Sequence, residues 1–440
     1  MFHKTKKYLL LLLPLLGLFS TTQLRGEQLA KDSLSLNSII SEVVQNHPLV
    51  KKAMENLNVS DAKIGAAKAE NLPNADLTSS YSRIGPISEI DIAGMGKFAF
   101  MPKDNYSAGV NISQTISDFG KTEKTISLEK QGKELTRQSL EQVKQKLSEA
   151  AIQNYFSLVF LQEAVKIKDE QLNTLNEHLR FVQKKQATGS ATQYEILTTQ
   201  VRISAIENQK TDLTTMQQVQ ISHLNSLLGK PEQTSQRVKN DLNFSLPFLQ
   251  SDTLIASALQ NRDEMKLARQ KARLAELKLS MTNSANNPVV NAFASAGVRN
   301  GYIPYMYDPR ANFVAGLGLK VPLFDGKRNK YKIVEAKSSI LVNDQETEIS
   351  RRTIIDEVIE SETNLKAAQK KVEQSQLQLK QAIQAYDMAK ARFDAGVITN
   401  LELLDGSTSV SESSLMLLKS RIDYTINIFK LKSAIGERLY

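Results

Sequence analysis

The feature that most constrains this sequence is an internal repeat, in which the second half of the chain follows the pattern of the first. Three pairs of segments match, the first pair 215 residues apart and the others 207 residues apart: 45–80 with 260–295, 107–118 with 314–325, and 188–197 with 395–404. The change in spacing indicates a longer loop in the first copy, between Tyr81 and Tyr106. A duplication of this length predicts one structural unit built twice in tandem.

The repeat suggests a division of the chain. Repeat 1 covers residues 36–230, a linker covers 231–250, and repeat 2 covers 251–440. Residues 1–24 read as a secretory signal peptide, because three lysines precede an apolar run over residues 8–19. As a helix that run would reach only about 18 Å, which is too short to span a bilayer. We therefore expect an exported protein.

The placement of proline predicts two very long helices. The chain has 11 prolines, but none lies between Pro102 and Pro231 and none follows Pro322. Residues 327–395 also lack glycine, and as one helix they would extend about 100 Å. Apolar residues in both tracts recur three and four positions apart, as in a coiled coil. Each tract ends at a glycine, Gly189 or Gly396, and a returning helix is predicted at about 192–229 and 400–436.

Two strands are predicted ahead of each long helix, after a shorter helix that stops at Pro73 or Pro288. The strands are about ten residues long and alternate between apolar and small or polar residues. This alternation is typical of outer-membrane barrel strands, and equally of a half-buried sheet in a soluble protein. If the strands are in a membrane, the candidates for lipid-facing positions are Val110, Ile112, Leu317 and Leu319.

The segment VPLFDGKRNK (321–330) is predicted to be the junction between a strand and a long helix. Pro322 can end the pairing of the strand, and Asp325 beside Gly326 can cap the helix. Asp118 stands at the matching position of repeat 1. Four strands cannot close into a barrel, and an open sheet edge is not viable in lipid. Three chains would supply twelve strands, which is enough for a pore.

Three segments together carry a resemblance to a known family. LNSIISEVVQNHPLVKKA near the predicted mature start, VPLFDGKR at the junction and RFDAGVITNLELLD at the far turn stand in the order found in TolC-type outer-membrane efflux proteins. The resemblance covers about residues 36–436. It implies a mainly α-helical chain with a small transmembrane β part, built from two repeats of helix, strand, strand, long helix and helix. It also implies a homotrimer, in which a twelve-stranded β-barrel continues into an α-helical coiled-coil barrel.

The resemblance also implies a function and partners. Proteins of this type are passive exit ducts for efflux pumps or type I secretion, set in outer-membrane lipid and extending into the periplasm. They work with a periplasmic adaptor protein and an inner-membrane transporter. Three positions depart from the family pattern: Thr115 replaces the junction proline, Gln186 stands where repeat 2 has Phe393, and Ile398 replaces an expected arginine. Details of the family's polar latch therefore cannot be transferred.

The far turns contain the candidate site. Thr399 with Glu402, and Thr192 with Glu195, have the spacing of a capping box at the start of each return helix. Asp405 lies one turn further on, where no capping role explains it. The resemblance matches Glu402 and Asp405 to acidic rings that narrow the periplasmic entrance, and Glu195 is the counterpart of Glu402 in repeat 1. The capping role and the gate role of Glu402 are compatible.

Other functions find little support in the residues. The formal net charge of +9 is spread along helical tracts, without the basic stripe and aromatics of a nucleic-acid site. No phosphate loop or catalytic arrangement is present, the histidines are isolated and expected at the surface, and no cofactor or metal is predicted. We therefore predict a channel and not an enzyme. The alternative is a soluble periplasmic coiled-coil adaptor or scaffold, which the doubled strand pair disfavours.

Overall fold

The computed structural model describes residues 33–242 and 251–440. The predicted signal peptide, and residues 243–250 of the predicted linker, lie outside the described residues. The helices and strands, in chain order, are α1 (Leu36–Asn46), α2 (Pro48–Ala69), β1 (Asn74–Arg83), β2 (Glu89–Ile92), β3 (Gly96–Ala99), β4 (Asp104–Ser117), α3 (Lys121–Ala187), α4 (Gln193–Leu228), α5 (Ser251–Asn261), α6 (Asp263–Asn283), β5 (Val289–Arg299), β6 (Arg310–Lys320), α7 (Arg328–Asp394) and α8 (Asn400–Ala434).

The two halves of the chain have the same succession of elements. Apart from the small pair β2 and β3, the series α1, α2, β1, β4, α3 and α4 is repeated by α5, α6, β5, β6, α7 and α8. The long helices α3 and α7 each have 67 residues, or about 100 Å. Each proline-free tract thus contains one continuous long helix, and α3 runs through Gly132 without a break.

Each long helix has two sets of neighbours along its length. Near the sheet, α3 packs against the short helices, and Lys133 pairs with Asp61 of α2 at 2.6 Å. Further from the sheet, α3 packs against the return helix α4, where Asp169 pairs with Lys210 at 2.6 Å. The α7 helix repeats this arrangement with α6 and α8. Buried apolar side chains line both sets of contacts, as expected for a core spread along helix seams.

Part of the predicted linker folds back onto repeat 1. Val238 is buried in the same apolar cluster as α1 and the middle of α3. A parallel β-bridge joins it to Leu34, with the N–H of Leu34 donating to the carbonyl of Arg237 at 2.8 Å. This contact holds residues near 238 beside the start of α1.

The four long strands form one antiparallel sheet in the order β1-β4-β5-β6. The central pair, β4 and β5, joins the two repeats. A bulge lies between Thr115 and Ser117 of β4, so the register changes where this strand approaches its helix. Within the described residues, neither β1 nor β6 has a partner on its outer edge.

The register confirms that the alternating apolar residues share one face of the sheet, because residues directly opposite each other point to the same side. Val110 pairs with both Leu77 and Ala296, and Ala296 pairs with Phe313. The apolar face comprises Ala75, Leu77, Tyr81, Tyr106, Ala108, Val110, Ile112, Val290, Ala292, Ala294, Ala296, Val298, Phe313, Ala315, Leu317 and Leu319. The opposite face is mostly small or polar, although Phe293 lies on it against Gly316.

The connection between β1 and β4 differs from the sequence-based expectation of a simple loop. Inside residues 85–105, β2 and β3 pair as a separate two-stranded ribbon. Elsewhere, the described helices include none that is both long and apolar enough to cross a membrane.

Candidate functional site

The turns at residues 188–192 and 395–399, furthest along the chain from the sheet, begin the return helices α4 and α8. Both predicted capping boxes are present. The Thr399 hydroxyl accepts from the N–H of Glu402 at 3.3 Å, and the N–H of Thr399 donates to the Glu402 carboxylate at 2.7 Å. Thr192 and Glu195 form the same pair of contacts at 3.3 Å each. Each glutamate therefore satisfies a helix terminus of its own chain.

The capping contacts also set the charge of Glu402. Hydrogen bonds from the N–H and the hydroxyl of Thr399 hold the pKa of the Glu402 carboxyl below its usual value. The group stays ionised at neutral pH and is exposed. It can thus serve the helix end and present negative charge to solvent at the same time.

Asp405 has a partner that the sequence reasoning did not find. The guanidinium of Arg202, on α4, lies 2.6 Å from the Asp405 carboxylate on α8. This ion pair joins the start of the second return helix to the first return helix. Asp405 therefore has a structural partner besides the gate role that the resemblance implies, and the sequence analysis did not include that partner. The sequence gives no local signal of this pair, because Arg202 lies 203 residues from Asp405.

A second link between the hairpins involves His178, which was expected to be an isolated surface residue. Instead, His178 is half-buried, and its Nε2 lies 2.5 Å from the Oδ1 of Asn400. The buried amide of Asn400 in turn donates to the Thr199 hydroxyl at 3.3 Å. The rings of His178 and Phe393 are 5.3 Å apart. These contacts tie α3, α4 and α8 together one turn away from the glutamates.

At the first strand-to-helix junction, Asp118 caps the start of α3. Its carboxylate accepts from the N–H groups of Gly120 and Lys121 at 3.0 Å each, and of Thr122 at 2.6 Å. Partial burial works to raise the pKa of the Asp118 carboxyl, but the hydrogen bonds from Thr122, Gly120 and Lys121 outweigh it, and the pKa is lowered.

At the second strand-to-helix junction, an aspartate likewise caps the start of the long helix. Asp325 accepts from the N–H of Asn329 at 2.9 Å, in the first turn of α7, and its pKa is lowered mainly by that bond. Pro322 lies just after the end of β6 at Lys320, as predicted. The two residues after each aspartate have positive φ: Phe119 and Gly120 in repeat 1, Gly326 and Lys327 in repeat 2. The duplicated backbone therefore has one glycine in each copy, at different positions.

The predicted lipid-facing candidates all lie on the apolar face of the sheet. Val110 and Ile112 are on β4, and Leu317 and Leu319 are on β6. All four side chains are exposed in the single chain. Among the described residues, no group of three or more histidines, aspartates and glutamates is placed to hold a metal ion.

The fold by itself defines the class of protein: a duplicated helical-hairpin protein whose long helices extend from an open four-stranded sheet. A family model described as "Outer membrane efflux protein" matches residues 39–230 and 254–437. These two ranges cover most of the chain. The protein therefore belongs to the outer membrane efflux protein family, as its sequence motifs suggested.

Individual relatives are similar over nearly the whole chain. The outer membrane protein TolC of Vibrio cholerae is 21% identical, with 96% of this chain and 95% of the relative covered. The pyoverdine export outer membrane protein OpmQ of Pseudomonas aeruginosa is also 21% identical, over 90% and 84%. Among solved structures, CusC matches with a TM-score of 0.76 at 19% identity, over 98% of this chain and 99% of that chain. VceC from Vibrio cholerae matches with a TM-score of 0.74 at 18% identity, over 92% and 97%.

Family membership places the protein in the outer membrane as a component of efflux, extending into the periplasm. It agrees with the exit duct predicted from the sequence. The alternative of a soluble periplasmic adaptor is not favoured.

Proposed function

We propose that the protein is a passive exit duct formed by three copies of the chain, each contributing four strands to a twelve-stranded barrel. The observation that carries the proposal is the four-stranded sheet with two unpaired outer edges and one apolar face. Leu77, Phe313 and Leu317 on that face are 80%, 82% and 76% exposed in the single chain. Such a sheet is unstable in water and in lipid unless its edges pair. Pairing β6 of one copy with β1 of the next satisfies both edges.

The two faces of the sheet suggest the orientation of each strand. In the closed barrel, the apolar face with Val110, Ile112, Leu317 and Leu319 contacts lipid. The opposite face lines the lumen, with polar contacts such as the Asn111 amide donating to the Thr78 hydroxyl at 2.9 Å. Alternation of this kind is the usual division between lipid and lumen in outer-membrane strands.

The helices continue the duct, and the far turns form its periplasmic entrance. Three copies each of Glu402 and Glu195 bring carboxylates to this end. Asp405 contributes less to the negative electrostatic potential at the entrance than its charge alone suggests, because Arg202 of the same chain neutralises it. We therefore assign the acidic gate mainly to Glu402 and Glu195, with Asp405 and Arg202 as a coupled pair beside it.

A duct of this form needs partners to supply energy. We propose a periplasmic adaptor protein that docks on the helical end, and an inner-membrane transporter that delivers the cargo. The relatives' names differ in what is exported, from pyoverdine to cations. The exported molecule of this chain is therefore set by its transporter, with either an efflux pump or a type I secretion system upstream.

Cross-linking between strand edges tests the assembly. The sequence contains no cysteine, so one cysteine placed on β1 and one on β6 can be paired without background. We expect a set of such pairs along β1 and β6 to give a covalent trimer in outer membranes. Cysteine pairs placed on β4 and β6, which are separated by β5 in the sheet, are the matched control and should give none. A protein that is a monodisperse monomer without detergent would contradict the proposal.

A further inference from the structure

The ribbon formed by β2 and β3 has two chemically different faces. Ile90 pairs with Phe98, and Ile92 pairs with Gly96, so these side chains share one side. The N–H of Phe100 donates to the carbonyl of Ser88 at 3.3 Å, which continues the same side by one more pair. The large apolar residues on this face are all exposed, and so is Met95 in the turn: Ile90, Ile92, Met95, Phe98 and Phe100.

The opposite face of the ribbon is charged. Glu89, Asp91 and Lys97 alternate with the apolar residues and point to the other side. In water, the exposed isoleucines and phenylalanines on one face would be unfavourable. Inside the hydrocarbon of a membrane, the three charged side chains on the other face would be unfavourable. The one-sided pattern is that of a segment at a boundary between apolar and aqueous surroundings.

The position of the ribbon agrees with such a boundary. Beyond Tyr81 and Tyr106, the apolar face of the sheet ends in Arg83, which pairs with Asp104 at 3.5 Å. The neighbouring connection between β5 and β6 carries Tyr302, Tyr305 and Tyr307 at the same end of the sheet. Tyrosines mixed with charged side chains are typical of the interface level of a membrane protein.

Two prolines allow the ribbon to leave the direction of the sheet. The ladder of β1 and β4 extends to Ile84 and Lys103, then meets Pro86 on one strand and Pro102 on the other. Proline has no N–H to donate, so the ladder is interrupted on both strands at adjacent levels. A straight ladder would carry Phe98 roughly 25 Å beyond Tyr106 along the strand. For the ribbon to lie beside the tyrosines, the chain has to turn away from the strand direction at the prolines, where the ladder is interrupted.

We infer that the ribbon of β2 and β3 lies on the outer surface of the membrane, with Ile90, Ile92, Phe98 and Phe100 against lipid acyl chains and Glu89, Asp91 and Lys97 toward water. The inference rests on the proposed membrane sheet. The ribbon then acts as a lipid-facing flange beside the barrel mouth, in repeat 1 only, since repeat 2 has the shorter connection 300–309. A lid over the pore would require the apolar face to cover an aqueous opening lined by polar residues, which the composition of the sheet disfavours.

Single tryptophans test the depth of the ribbon, because the chain has none of its own. The variants Phe98→Trp and Lys97→Trp place the reporter on opposite faces, and Phe313→Trp on the sheet is the reference for lipid. Each trimer is reconstituted into phosphatidylcholine vesicles with acyl chains brominated near the headgroup, and acrylamide serves as the aqueous quencher. All three side chains are exposed in the single chain, so tryptophan can replace each of them without crowding a core. Migration of the trimer on a gel checks that each variant assembles.

We expect brominated lipid to quench Phe98→Trp to within about twofold of Phe313→Trp, with Lys97→Trp quenched mainly by acrylamide. Quenching of Phe313→Trp but not of Phe98→Trp by lipid would overturn the flange and leave the membrane sheet standing. Equal lipid quenching at positions 97 and 98 would also overturn it, because the ribbon would not have one wet face. Failure of lipid to quench Phe313→Trp would overturn the proposed function, and the flange with it.

Discussion

At the scale of single residues, two glycines permit a close backbone approach between the central strands of the sheet. Gly109 and Gly297 stand opposite each other on β4 and β5, the strands that join the two repeats. A Cβ at Gly297 would lie 2.3 Å from the carbonyl oxygen of Ala108 and 2.6 Å from the Cα of Gly109. Both are backbone atoms of a paired strand, so they cannot move aside without breaking the ladder.

We therefore predict that Gly297→Ala weakens the sheet by about 1–3 kcal/mol, the usual cost of overpacking. The temperature at which the trimer dissociates in detergent should fall. Gly318→Ala is the matched control on β6, because the nearest atom to its Cβ is the Phe293 ring at 4.0 Å. Equal behaviour of the two variants would contradict the close approach of β4 and β5.

The ion pair between Arg202 and Asp405 makes a second prediction at this scale. Removing the positive charge with Arg202→Gln leaves Asp405 unneutralised beside Glu402, and the closed channel should become more cation-selective. Asp405→Asn with Glu402→Gln should make it less so. Reversal potentials in planar bilayers measure both effects. An exposed pair of this kind contributes up to about 1 kcal/mol to stability, so the variants should still fold.

The matched control for selectivity is the double variant Arg202→Gln with Asp405→Asn, which restores the net charge of the pair. It should return the reversal potential close to that of the parent protein. If neither Arg202→Gln nor the combination of Asp405→Asn with Glu402→Gln moves the reversal potential, the far turns do not control ion passage, and these residues serve the helix ends alone.

At the scale of elements, the junctions between strand and long helix show how a duplicated backbone keeps its geometry while its residues change. Positive φ occurs at Phe119 with φ 52° and at Lys327 with φ 64°, each next to a glycine. A side chain in this region is disfavoured by roughly 1 kcal/mol. The aspartate caps offset this cost by satisfying the first N–H groups of α3 and α7.

The caps predict a dependence of stability on acid pH. The pKa of Asp118 is lowered in the folded state, so its cap stabilises fully above the ordinary aspartate pKa and is lost as pH falls through the lowered value. Asp118→Ala should cost about 1 kcal/mol at neutral pH. The difference in stability between this variant and the parent protein should disappear well below pH 4, where the Asp118 carboxyl becomes protonated. The thermal loss of helical circular dichroism in detergent measures the stability of the variant and of the parent protein. A stability difference that does not change with pH would show that the ionised Asp118 carboxylate is not what stabilises the helix end.

At the scale of the whole molecule, the register of the sheet decides which residues meet lipid. We predict that Leu317→Cys is shielded from a membrane-impermeant maleimide, while Gly318→Cys, on the lumen side, is labelled. Val110→Cys and Asn111→Cys provide the same comparison on β4. The absence of native cysteine makes each label specific. Faster labelling at 317 than at 318 would mean that the sheet faces the other way.

Local chemistry in the sequence was enough to predict much of this molecule. The absence of proline and glycine predicted α7 within a few residues of its ends, because helix propagation depends on neighbours along the chain. The alternation of side chains predicted the apolar face, since the period of a strand is intrinsic to its backbone. The capping boxes at Thr192 and Thr399 were predicted correctly because donor and acceptor lie three residues apart.

Contacts between distant segments were decided by the tertiary structure alone. Nothing local marks Arg202 as the partner of Asp405, or His178 as the partner of Asn400, because each pair is more than 200 residues apart in sequence. The close approach of Gly109 and Gly297 likewise appears when β4 and β5 align across the two repeats. The ribbon of β2 and β3 was not predicted because its flanking prolines indicate a loop, whereas in the structure they interrupt the pairing between two ladders. Pattern along the chain determines each element, whereas the meeting of elements depends on how the duplicated units pack.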